Sequence, residues 1–215
     1  MSGKLIVVEG IEGAGKTSIV ERIITWLKEV QGVEALTFRE PGSTPIGEAV
    51  RTLIKDPNST ISVTTQTELL WLSRARLLEE IVQPKLSAGV NIILDRYWFS
   101  TLVYQHEFYK DKPIYDTIRN IIEQYYQADY LIYLKVSPEV AYERCRAGNG
   151  RGNVADMNDD KPLDVFVKWS QMYNELFDAY CKCKPNYKQA LSIDGDQVFS
   201  EVANDACHFL VELSE

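Results

Sequence analysis

Leu5-Ile6-Val7-Val8, four apolar residues in a row, leads through Glu9 into Gly10-Ile11-Glu12-Gly13-Ala14-Gly15-Lys16-Thr17. The first four suit a parallel strand buried on both faces. The next eight fit G-x-x-x-x-G-K-[ST], in which glycines let successive backbone N–H groups curl toward phosphate oxygens and a helix opening near Gly15 adds its positive end. In this arrangement Lys16 reaches β- and γ-phosphates and Thr17 serves Mg²⁺. Residues 10–18, ending at Ser18, are therefore the expected cradle of a nucleoside triphosphate.

Outward from this loop, apolar runs alternate with helical periodicity along all 215 residues. Strands are expected at residues 5–8, 35–38, 91–94, 130–136 and 190–193. Ile19, Ile23, Leu27 and Val30 mark one amphipathic helix, residues 64–88 a second, and Ile114, Ile118, Ile122 and Tyr125 a third. Ser137-Pro138 reads as an N-cap with proline at the first helical position. Val165, Phe166, Trp169, Met172, Leu176 and Tyr180 set another helix, and Val198, Val202, Phe209 and Leu213 a last one. Five strands joined by helical crossovers predict a single α/β domain, a parallel sheet flanked by helices on both faces, with ligands at the carboxyl ends of the strands. Gly148, Gly150 and Gly152, followed by acidic residues up to Asp160, predict a mobile loop at about residues 146–161.

A net charge of −8 and a pI near 4.9 argue against nucleic acid or an anionic membrane as main partner. No apolar run approaches the ~20 residues of a membrane span, and the N-terminus lacks a signal-peptide layout, so a cytoplasmic location is expected. Cys145, Cys181, Cys183 and Cys207 are too few and scattered for a disulfide framework. Their spacing, with His208, also lacks the C-x₂-C pattern of a zinc site.

Charged residues stand where this architecture places its chemistry. Asp95, after Ile92-Ile93-Leu94, is either a carboxylate that orients Mg²⁺ or the cap of the next helix. Arg96 beside it would suit an acceptor phosphate or the charge developing during transfer. On the 64–88 helix, Leu72 and Arg76 are four apart and share a face, which would offer an apolar wall and a guanidinium to a flat ligand, or else a core leucine beside a solvated arginine.

Taken together, Glu9 to Thr17, Arg39-Glu40-Pro41-Gly42, Ile46-Gly47-Glu48 with Arg51, Glu68-Leu69-Leu70 with Arg76, and Asp95-Arg96-Tyr97 with Ser100 and Tyr104-Gln105 resemble thymidylate kinase, in the family's order over nearly the whole chain. The resemblance implies a P-loop fold of the nucleoside monophosphate kinase type with strand order 2-3-1-4-5. It also implies transfer of the γ-phosphate of ATP to dTMP with Mg²⁺, and a homodimer. By matched position, Arg39, Arg51 and Arg96 would surround the acceptor phosphate, Pro41 would be among the dTMP-binding residues, and Arg76 would lie against and hydrogen-bond the base. Leu72 would replace the family's usual stacking aromatic, unless Trp71 turns in. Ser100, Thr101 and Gln105 would face the base edge, Tyr104 would crowd C2′ of the sugar, and Glu12 would approach the 3′-hydroxyl or the metal's waters. Thr17 and Asp95 would serve the metal. Gly13 stands where one branch of the family carries an arginine, so the transferring cation would come from the 146–161 loop, as Arg146 or Arg151, with Arg144 against adenine.

Two rivals stay open. Leu72 would let a kinase for another or modified pyrimidine deoxynucleoside monophosphate fit, and a slowly hydrolysing nucleotide switch or a non-catalytic binding module would use the same loop. A GTPase switch would need N-K-x-D, which the chain lacks.

Overall fold

The computed structural model describes residues 2–148, 161–183 and 189–214. Strands β1 (Leu5–Glu9), β2 (Ala35–Arg39), β3 (Asn91–Asp95), β4 (Tyr130–Lys135) and β5 (Ala190–Asp194) form one parallel sheet in the order β2-β3-β1-β4-β5. That is the expected order, and apolarity explains it. LIVVE in β1 is buried at every position, whereas ALTFR in β2 and ALSID in β5 mix polar residues and occupy the two edges. The register places Val8 and Arg39 on either side of Asp95, so the ends of β1, β2 and β3 lie together.

Helix α1 (Lys16–Val30) buries Ile19, Ile23 and Leu27, one face at helical spacing. Helix α2 (Pro45–Lys55), absent from the sequence reading, begins at Thr44, whose hydroxyl accepts from the Gly47 N–H at 2.9 Å. Thr44-Pro45 was a legible start signal, a side-chain cap followed by proline at the first helical position. The expected 64–88 helix is present as α3 (Val63–Leu77), a π-helical turn at Leu78–Val82 and α4 (Gln83–Ser87). Pro84, which has no N–H to donate back to Glu80, stands just past that wider turn.

After β3 come α5 (Trp98–Tyr104) and α6 (His106–Tyr109), two short helices that no periodicity announced. Helices α7 (Ile114–Gln124), α8 (Pro138–Arg146) and α9 (Leu163–Cys183) follow the expected patterns. Ser137 is the N-cap of α8, but its side chain makes no capping bond, and its N–H donates instead to the Asp196 carboxylate at 3.0 and 3.2 Å. The last helix is shorter than its pattern: α10 (Phe199–Phe209) gives way to a 3₁₀ turn at Val211–Ser214.

Helices α1 and α10 pack together on the sheet, while α5, α7 and α8 gather round α9. A small second apolar cluster, Val50, Ile54 and Leu70, joins α2 to α3. Among the described residues no helix is long and apolar enough to cross a membrane. The expected 146–161 loop falls mostly outside the described residues.

Candidate active site

The turn between β1 and α1 has the backbone its glycines were expected to permit. Gly10, Gly13 and Gly15 all have positive φ, at 153°, 79° and 83°. A Cβ at Gly13 would also stand 2.3 Å from the carbonyl oxygen of Ala141 on α8. Any side chain at this position would be strained in its backbone and would meet α8. Ile11 and Ala14 are buried, Gly15, Thr17 and Ser18 are exposed, and Lys16 is buried with its ammonium donating to the Ile11 carbonyl at 2.7 Å. Burial first, and the neighbouring Arg96 second, lower the Lys16 ammonium to about 8, against the pull of Glu12, Asp95 and Glu9.

Thr17 donates from its hydroxyl to Asp95 Oδ2 at 2.8 Å, and Asp95 Oδ1 is buried without a partner. A hydroxyl and a carboxylate with an unused oxygen, at the mouth of a phosphate loop, fit Mg²⁺, which binds through one or two protein groups and completes its shell with water and substrate phosphates. Thr17 and Asp95 would hold it. The N-cap of the helix that follows, α5, is Tyr97 and not Asp95.

Arg96 sits just past β3 at φ 74°, a backbone conformation costly for any residue but glycine. Its N–H donates to the Val8 carbonyl at 3.0 Å, which turns the side chain back across the crevice. Arg96 Nη1 donates to the Gly10 carbonyl, Ser100 Oγ and the Tyr104 hydroxyl at 3.2, 3.1 and 3.3 Å, and Nη2 pairs with the Glu12 carboxylate. One guanidinium therefore touches the phosphate loop and the opposite wall together. Beneath it lies a group that sequence reading gave no role: Glu9, fully buried. Its carboxylate accepts from the N–H groups of Tyr97 and Ser100 at 2.7 and 3.2 Å, and from the hydroxyls of Ser100 and Tyr173 at 2.8 and 3.0 Å. Glu9 thus fixes the start of α5 and, through Ser100, the seat of Arg96.

The wall facing the phosphate loop requires a correction. Arg76 does not join it: its guanidinium pairs with Glu79 at 2.9 Å and with Glu80, within its own helix. Leu72 is 49% exposed, so it lies on the solvent side of α3. The buried arginine is Arg74, two positions earlier and so roughly 200° round the helix from Arg76. It is 2% exposed, donates from Nε to Glu40 at 2.7 Å and from Nη2 to Thr101 Oγ1 at 3.0 Å, and lies over the Trp71 ring at 4.5 Å. Trp71 is held in turn by stacking on Tyr125 and by donating to the Tyr109 hydroxyl at 2.7 Å.

Burial raises Glu40, to about 7, against the pull of Arg74. Arg74 Nη1, Glu40 Oε1 and Gln105 Oε1 are buried without partners, leaving one donor and two acceptors unused near Thr101. Arg74 shares the buried face of α3 with Leu70, a placement that sequence alone does not single out, and a buried arginine demands a carboxylate such as that of Glu40.

The β2 loop brings Arg39, Pro41 and Arg51 together. Arg39 Nη2 donates to both Glu48 oxygens at 3.3 and 3.2 Å, and Arg51 Nη1 donates to the Pro41 carbonyl at 3.1 Å. The Ser43 N–H, foremost, and Arg39 hold Glu48 below the usual carboxylate range. On α8, Arg144 donates from both Nη atoms to the Gly195 carbonyl at 3.2 Å, tying the helix to the turn after β5. Arg146 is exposed and donates to the Tyr142 hydroxyl at 3.0 Å. Arg151 lies outside the described residues.

A parallel 2-3-1-4-5 sheet, a glycine-rich phosphate loop after β1 and an arginine-lined wall facing it define a P-loop enzyme of the nucleoside monophosphate kinase class. The family model described as thymidylate kinase matches residues 8–190. Thymidylate kinases from Glaesserella parasuis (33% identical, covering 95% of this chain and 94% of theirs), Colwellia psychrerythraea (35%; 81% and 82%) and Legionella pneumophila strain Corby (33%; 82% of each) are similar to it along most of their length. The chain belongs to the thymidylate kinase family.

Proposed function

We propose that the chain transfers the γ-phosphoryl group of ATP to dTMP, giving ADP and dTDP. A phosphate oxygen of dTMP, already ionised at pH 7, forms the new bond to the γ-phosphorus while the bridging P–O bond breaks and its electron pair leaves with ADP. No general base is required. The difficulty is bringing two anions together: at an effective dielectric of about 20, two unit charges 4 Å apart repel by roughly 4 kcal/mol. The observation that carries the reading is Arg96, whose guanidinium reaches the Gly10 carbonyl of the donor loop and the Tyr104 hydroxyl of the acceptor wall at once. Lys16 supplies a second charge on the donor side. Mg²⁺ would supply charge neutralisation between the phosphates from beside Thr17 and Asp95.

On the acceptor side we assign Arg39, Pro41 and Arg51 to the entering phosphate, Ser100 and Thr101 to the wall behind it, and Tyr104 to the sugar. Base contact passes from Arg76 to Arg74, because Arg74 Nη1 and Gln105 Oε1 are a buried donor and acceptor with bonds still to make. Glu12 leaves Arg96 for the acceptor's hydroxyl or the metal's waters, Arg144 borders adenine, and Arg146 or Arg151 completes the charge around the transferring group. Leu72, half exposed, is not assigned to the base, and dTMP is the acceptor proposed. A single domain, a cytoplasmic location and a homodimer complete the proposal.

ADP release measured with dTMP, dUMP, dCMP, dGMP and AMP as acceptors tests it. Turnover is expected to be strong with dTMP and weaker with dUMP. Strong turnover of a purine monophosphate with none of dTMP would end the reading.

A further inference from the structure

Tyr104, the last residue of α5, is gripped on two sides. Arg96 holds its hydroxyl and lies 5.2 Å from the ring centre, and Trp169 of α9 meets the ring edge-on at 4.8 Å and 78°. Trp169 is itself buried and rests on Phe166 at 5.2 Å, which meets Tyr142 of α8 edge-on at 5.6 Å. Tyr173, four residues on, stands 6.4 Å from Tyr104 and bonds Glu9 and Ser100. Phe166, Trp169 and Tyr173 thus form one buried stripe of α9 against the acceptor wall.

The two grips differ in kind. Arg96 is a cation that an arriving phosphate recruits, so its hold on Tyr104 changes as the site fills. Trp169 holds through aromatic edge packing, which the charge state of the crevice leaves alone.

We propose that Trp169 is a positioning residue that determines sugar specificity: by filling the space behind Tyr104 it fixes how far that ring reaches toward C2′, and so excludes a ribose hydroxyl. The inference rests on the sugar-facing assignment of Tyr104 made above.

The test compares kcat/KM for dTMP with that for ribothymidine 5′-monophosphate in the wild type, Trp169→Leu and Trp169→Phe, with Tm recorded for each. Wild type is expected to prefer the deoxynucleotide by about 10², the discrimination a packed wall achieves against one extra hydroxyl. Trp169→Leu is expected to lower that preference roughly tenfold, through a lower KM for the ribonucleotide, with kcat for dTMP little changed. Trp169→Phe, which keeps a ring edge, is expected to retain most of it. A Trp169→Leu enzyme that turns over dTMP and keeps the wild-type preference overturns the inference alone. A wild type with no preference overturns the assignment of Tyr104 and the inference with it. Should Trp169→Leu fail to fold, Trp169→Met, which also removes the ring edge, carries the comparison, and a wild-type preference in it would overturn the inference.

Discussion

Arg96 accepts an unfavourable backbone, on the order of 1–3 kcal/mol for a left-handed non-glycine residue, and is left with bonds that substrate phosphates can replace. Arg96→Ala should therefore lower kcat by about 10²–10³, the loss seen when a group bonding the developing charge is removed. An unchanged kcat would remove Arg96 from the reaction. Lys16 carries a pH prediction. Its amine titrates near 8 in the folded protein against 10.5 ordinarily, so its charge is costly to fold below about pH 8 and that cost fades as pH rises toward 10.5. Bound triphosphate restores the charge, so affinity for MgATP should fall roughly tenfold between pH 7 and 9. Titration calorimetry at the two pH values checks this, and a flat affinity would contradict it. Arg74 and Arg76 separate cleanly by stability. Arg74→Ala leaves Glu40 buried and unpaired and should cost about 3–5 kcal/mol, whereas Arg76→Ala breaks only exposed in-helix pairs worth about 1 kcal/mol or less. Urea unfolding of the two variants would show the difference, and equal losses would contradict the buried pairing.

At the scale of elements, what could be read in advance was whatever carries local periodicity or a fixed motif. The five strands fell where apolar runs predicted them, and the phosphate loop kept its expected backbone because glycine adopts those φ values without steric cost. Helix α3 was legible as a helix, but not which of its arginines turns inward. Arg74 and Arg76 both stand beside apolar residues in sequence, and only the packing of α3 against Glu40 and Thr101 separates them. Glu9 escaped for a similar reason: its partners are Tyr97, Ser100 and Tyr173, residues 88 to 164 positions away. Short α5 and α6 were invisible because fewer than two turns cannot establish a period. The fit between the phosphate loop and α8 makes its own prediction. Gly13→Ala adds a Cβ at φ 79° and 2.3 Å from the Ala141 oxygen, so ATP affinity and Tm should both fall; an unperturbed variant would show that α8 does not back the loop.

On the scale of the whole molecule, Leu53 on α2 and Leu72 on α3 are about half exposed, next to the cluster that joins the two helices. If this face pairs two copies, light scattering should find a dimer for the natural chain and a monomer for Leu53→Asp/Leu72→Asp; a monomeric natural chain would refute the homodimer. The kinase reading itself concerns where the phosphoryl group goes, since a slow switch with the same loop would pass it to water. Incubating the protein with MgATP and dTMP, and quantifying ADP and dTDP by ion-exchange chromatography, tests that point most directly. Equal amounts of ADP and dTDP, with little ADP when dTMP is withheld, is the expected result. ADP accumulating without dTDP would contradict it.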